Sequence, residues 1–207
     1  MPQIFLDTKI TVVIHKSDVG RSSNTGRLLP LVLPNSKLIV HGIKGSPLPD
    51  REGLAQSQFP IILFPGRHAK TLTSERLQNI KAQAGKKNIT VIIPDGNWNQ
   101  AKHMMNRIPA LTQTPAYELT EESFLGQPMR RNIHPGRLST FEATARILGI
   151  LENTEVEGKL LSFYEQFVDR MLLMRGKLKA SDIIKKDNFG EFWIPIAQKT
   201  ASEIHLQ

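Results

Sequence analysis

Asp95 and Trp98 place a carboxylate and an indole three positions apart in the stretch VIIPDGNWNQAKHMM, residues 91–105. A carboxylate can take a proton from a weakly acidic group, and an indole can stack against a planar ring. The neighbouring residues supply the setting. Ile89, Val91, Ile92 and Ile93 form the β-branched run expected of a strand covered on both faces. Pro94 and Gly96 should break that strand, and Asn97 with Gln100 has the spacing of a helix capping box. Asp95 is then delivered to the carboxyl edge of a sheet, beside the unpaired amides of a helix start. In open α/β sheets that is where ligands and chemistry collect.

The elements that must position these residues alternate between strand and helix, the pattern of an α/β fold with a mostly parallel sheet and flanking helices. Ile10–His15, Lys37–His41, Pro60–Phe64 and Ile89–Ile93 read as strands, with Ala116–Leu119 a weaker one. Thr73–Ala84 reads as a helix with Leu77, Ile80 and Ala84 on one face and Gly85 as its stop. Two more helices are expected near Ser139–Leu151 and Glu155–Arg175, where Ser139 with Glu142 and Thr154 with Glu157 have capping-box spacing. Leu178 onward looks like a lightly structured tail, which divides the chain into a single domain over residues 1–177 and a tail over 178–207. Three polar stretches sit at element edges and could converge on Asp95. They are HKSDVGRSSNTGRLL after the first strand, LFPGRHAKTL after the third, and MRRNIHPGRLSTFEATARIL before the Ser139 helix.

Composition narrows the classes of function. The 207 residues suffice for one sizeable domain, and 40% hydrophobic content supports a core. No apolar run approaches the roughly 18 residues that span a bilayer, and the N-terminus shows no signal peptide. Without cysteine there is no disulfide framework, thiolate metal site or catalytic thiol. The expectation is a cytoplasmic protein with no membrane attachment, no bound metal and no obligate protein partner. A net charge of +8 points first to nucleic acid as partner.

The segments NTGRLL, LFPG, IPDGNWNQAKHM and GRLSTFEATARIL occur in the order seen in DTW-domain proteins, and the chain resembles that family from about His15 to Leu148. These are tRNA-uridine aminocarboxypropyltransferases, related in fold to the knotted SPOUT RNA methyltransferases. Two features depart from the family pattern: Gly96 and Asn97 stand between Asp95 and Trp98 without the threonine that helps name it, and the N-terminal cysteine cluster of many members is missing. The resemblance implies a SPOUT-like, knotted α/β domain. It also implies transfer of the 3-amino-3-carboxypropyl arm of S-adenosylmethionine to N3 of a uridine in tRNA. Asp95 and Trp98 are the catalytic candidates. Pro65, Gly66, Pro94, Asp95, Gly96, Leu138, Ser139 and Thr140 are candidates for the cofactor, and Arg27, Lys102, Arg130, Arg131 and Arg137 for RNA.

Each assignment has a plainer alternative. Asp95 could brace the turn, and Trp98 could belong to the core. Ser139 and Glu142 read better as a capping pair than as nucleophile and acid, while the amides at that helix start could still hold part of the cofactor. The arginines could be solvated, Gly66 and Gly136 could merely satisfy turns, and His15 could be a satisfied strand-end histidine. Three other functions stay open: a methyltransferase of the same fold, a non-catalytic RNA-binding module, and a hydrolase built from His15, Asp95 and Ser139. No G-x-S-x-G elbow supports the last.

Overall fold

Six strands line up in the order β2-β1-β5-β3-β6-β4, and every neighbouring pair is parallel. They are β1 (Lys9–His15), β2 (Ser36–His41), β3 (Phe59–Leu63), β4 (Lys70–Thr71), β5 (Ile89–Asp95) and β6 (Ala116–Glu118). This computed structural model describes residues 3–21, 23–56, 58–120, 138–181 and 183. The helices are α1 (Leu29–Val32), α2 (Arg51–Ala55), α3 (Ser74–Ala84), α4 (Trp98–Arg107), α5 (Pro109–Thr112), α6 (Thr140–Leu151) and α7 (Thr154–Met174). The chain divides into two compact units, Met1–Leu161 and Ser162–Gln207. The first holds the whole sheet and α1 to α6. In the second, Tyr164 and Phe167 stack their rings along α7.

All seven residues of β5 are buried, as the β-branched run from Ile89 to Ile93 leads one to expect for most of them. Each fully buried Val or Ile side chain stabilises the fold by about 1.5–3 kcal/mol relative to exposure. One face of the sheet presents Val13, Ile62 and Ile92 to Leu54 of α2, Ala101 and Met104 of α4, and Leu111 of α5. The two threonines buried in the strands are satisfied from α2: Thr11 donates to the Leu54 carbonyl at 2.8 Å and Thr90 to that of Ala55 at 3.5 Å. On the first unit's remaining helices, Lys81 of α3 donates to the Leu151 carbonyl at the end of α6.

The chain leaves β1 toward β2 on one side of β5, and β3 leads to β6 and β4 on the other. The connections out of β1 (to β2) and out of β5 (to β6) run to opposite sides, so the crevice between their carboxyl ends is the switch point where α/β sheets bind ligands. Besides the short elements α1, α2, β4 and α5, which the sequence reading did not name, two details differ from it. The strand β5 runs on through Pro94 and Asp95 instead of ending at Ile93. Pairing with β3 stops at Ile92 while pairing with β1 continues to Asp95, so Pro94 lies where one neighbour has already departed and its missing N–H is tolerated. At the start of α7, Asn153 supplies the cap in place of Thr154, accepting the Val156 N–H at 3.0 Å. Glu157 is drawn instead to the Arg146 guanidinium of α6. Among the described residues, no helix is long and apolar enough to cross a membrane.

Candidate active site

Asp95 ends β5 with only 4% of its surface exposed, and two segments close on its carboxylate. Asn24 Nδ2 donates to Oδ2 at 2.6 Å, and Thr140 Oγ1 donates to Oδ1 at 2.6 Å. Gly26 lies against the same group: a Cβ there would stand 2.6 Å from Asp95 Oδ2 and 3.2 Å from Val12 Cγ1. The Phe141 N–H reaches the buried Thr25 hydroxyl at 3.4 Å, tying the two segments to each other. The NTG sequence and the LST sequence thus meet at the carboxyl edge of the sheet around one carboxylate.

Asn97 and Ser139 both act as helix caps with complete capping boxes, Asn97 with Gln100 and Ser139 with Glu142. Gln100 also donates to His15 Nδ1 at 3.1 Å and to Ser17 Oγ at 2.8 Å, which holds the segment after β1 to the start of α4. His15 is therefore engaged by Ser17 and Gln100, and the Ser139 hydroxyl accepts the Glu142 N–H. That is the arrangement of a strand-end histidine and a helix cap, not of a base activating a nucleophile. His41 at the end of β2 faces His15 edge-on at 6.5 Å. Burial, followed by the charges of His15 and His103, holds its pKa below the ordinary value.

Trp98 opens α4 with half its surface exposed, so it is not a core residue. Its ring stacks on Phe64 at a centroid distance of 5.2 Å and 25°. That contact brings the segment after β3, with Pro65 and Gly66, to the same edge. At Gly66 an added Cβ would meet only the Phe64 ring at 3.5 Å, an ordinary contact. Leu138, Pro94 and Gly96 are carried by the segments that meet at Asp95. Arg27 and Lys102 are both exposed. Arg130, Arg131, Gly136 and Arg137 lie outside the described residues.

Asp18 adds a group that sequence reasoning passed over. It is 3% exposed, and neither carboxylate oxygen has a hydrogen-bond partner among the described residues. The Arg21 guanidinium stands 2.9 Å from Oδ1 as an ion-pair contact outside hydrogen-bond geometry, which leaves Oδ2 unmet. Asp18 Oδ2 would stand 3.4 Å from a Cβ on Gly96, beside the Asp95 turn. Its place within the HKSDVG stretch was the available signal. Nothing in spacing alone tells a buried carboxylate from a solvated one.

The DTW domain matches residues 1–172. The tRNA-uridine aminocarboxypropyltransferase 2 of Drosophila melanogaster is 28% identical over 158 residues, which cover 73% of this chain and 59% of that protein. The chain therefore spans less than two thirds of that relative's length. No solved structure matches the chain.

Proposed function

Because the chain belongs to the DTW-domain family, we propose that it is a tRNA-modifying transferase of the cytoplasm that places a 3-amino-3-carboxypropyl group on N3 of a uridine. The observation that carries this reading is the buried Asp95 carboxylate, held by Asn24 and Thr140 at the switch point of a parallel sheet. The similarity to a relative named for this activity supports it.

S-adenosylmethionine would supply an electrophilic carbon on its sulfonium and leave as methylthioadenosine. The residues present fit such a ligand. Asp18 offers a buried carboxylate oxygen with no hydrogen-bond partner among the described residues, suited to a cationic ammonium or sulfonium. Gly66 is exposed and has room in front of its Cα, so the backbone after β3 can approach a ligand closely.

Asp95 is the group that takes the N3 proton of uridine. A carboxylate has about four lone-pair sites, so the Asn24 and Thr140 donors do not by themselves prevent it from accepting a proton. Asn24 and Thr140 position it, and the Gly26 backbone lets them approach. Arg27, Lys102 and the arginines Arg130, Arg131 and Arg137 contact RNA phosphates. The test is product analysis after incubating the protein with unmodified tRNA and S-adenosylmethionine. Methylthioadenosine together with an aminocarboxypropyl uridine supports the reading. S-adenosylhomocysteine would instead make the protein a methyltransferase, and neither product would leave it an RNA-binding module.

A further inference from the structure

Between the segment after β3 and the helices α4 and α5 lies a cleft of about 750 Å³, within the range of sites that take small ligands. Its lining combines an aromatic plane with positive charge. The Trp98 indole stands at its edge, half exposed, with the buried Phe64 ring stacked behind it. Arg67, His68, Lys70 and Lys102 line it as well, Gly66 of the proposed cofactor segment lines it where the two sites adjoin, and among the described residues no acidic side chain does. Amide and hydroxyl side chains from Asn106 to Thr114 complete the wall and can meet the edges of a base.

We infer that this cleft is a subsite for a single-stranded nucleotide flanking the target uridine, its base on Trp98 and its phosphate among Lys70, Lys102 and Arg67. The chemistry singles out a nucleotide. An indole held from behind by a second ring is a rigid stacking plane, which any base can use through its π-face. A lining with cations and no carboxylates attracts phosphate and repels nothing on the nucleic-acid backbone. Trp98 follows Asp95 by three residues, so a base stacked there neighbours the reacting uridine. A duplex cannot offer a base face to such a plane, so the target must lie in a loop or an unpaired stretch. The inference rests on the tRNA-transferase reading for the identity of the RNA, though not for the existence of the subsite.

The test uses the full chain with Trp193→Phe, which makes Trp98 the sole tryptophan. A uridine pentanucleotide and S-adenosylmethionine are titrated separately while Trp98 fluorescence is read. Anisotropy of a labelled pentanucleotide gives affinities for variants in the unmodified chain. The expected result is quenching by the pentanucleotide and little by S-adenosylmethionine. Trp98→Leu should weaken the pentanucleotide roughly ten-fold or more. Lys70→Ala with Lys102→Ala should lower the salt slope by up to about 0.7, the value of one phosphate contact on a single strand, with S-adenosylmethionine affinity unchanged. These lysines are exposed, so the double variant keeps its fold, which a melting curve checks. Quenching by S-adenosylmethionine alone would give the cleft to the cofactor and overturn the inference. So would a pentanucleotide whose affinity ignores all three substitutions. Product analysis remains a separate readout: an absence of methylthioadenosine sinks the transferase reading and leaves the fluorescence result to decide the cleft.

Discussion

Replacing Gly26 with alanine tests whether the site depends on how closely the NTG segment approaches Asp95. Gly26 has no positive φ and begins a short helical turn, so backbone strain does not require glycine there. Helix propensity alone favours alanine by up to about 1 kcal/mol. The contact works the other way. The new methyl would stand 2.6 Å from Asp95 Oδ2 and 3.0 Å from Cγ, whereas ordinary contact begins at about 3.5 Å. The carboxylate must therefore retreat by about 0.9 Å, and the Asn24 bond at 2.6 Å ends on the same oxygen. Overpacking costs about 1–3 kcal/mol and a strained charged hydrogen bond about 1.5–3, so after partial relaxation we expect about 2–4 kcal/mol of destabilisation. For a chain of this length that is a fall in Tm of roughly 4–16 °C. A misplacement near 1 Å at the reacting group should also cut turnover about 10²-fold. Thermal melts and methylthioadenosine release, measured at a temperature where the variant is folded, separate the two effects. An unchanged Tm would refute the packing argument. A lowered Tm with full turnover per folded molecule would show that the position of Asp95 does not matter to the chemistry.

Four further outcomes follow from the same geometry. Asp95→Asn should cost about 10²–10⁴-fold in turnover with the fold retained, because the Thr140 hydroxyl can rotate to match an amide; near-normal turnover removes Asp95 from the base role. Gly66 is exposed and a Cβ there meets only an ordinary contact, so Gly66→Val should melt close to the parent yet bind S-adenosylmethionine much more weakly by calorimetry, and unchanged affinity would move the cofactor away from this segment. Asp18→Asn should weaken S-adenosylmethionine about 10–100-fold and leave methylthioadenosine, which lacks the cationic arm, unaffected; equal losses would mean that Asp18 reads no charge. His41 binds protons less readily in the folded chain than in the unfolded one, so stability should fall as pH drops below its ordinary 6.5. The urea midpoint should differ between about pH 5.5 and about pH 7.5, by less in His41→Gln, and an equal difference in both proteins would exclude this histidine as the cause.

What the sequence by itself determined is local. Alternating β-branched runs and amphipathic stretches specify a parallel α/β sheet, because the strand period and the helix period are written in side chains a few residues apart. Caps are equally local: Asn97 with Gln100 and Ser139 with Glu142 satisfy amides three residues away, so their spacing was enough. Asp95 could be placed at a strand end for the same reason. Its partners could not be read this way. Asn24 and Thr140 are 71 and 45 residues distant, and their hydroxyl and amide are as plausible in solvent as in a site. The order β2-β1-β5-β3-β6-β4 inserts β5 between strands far earlier in the chain, and only that insertion gathers the three segments at one edge. Trp98 shows the limit most plainly. A tryptophan at a helix start suits the core or a stacking surface equally well, and only its half exposure in the fold, with Phe64 against its ring from 34 positions away, takes it out of the core. The burial of Asp18 is of the same kind. Exposure depends on which distant segments pack over a residue, and that is fixed by tertiary contacts that sequence spacing does not record.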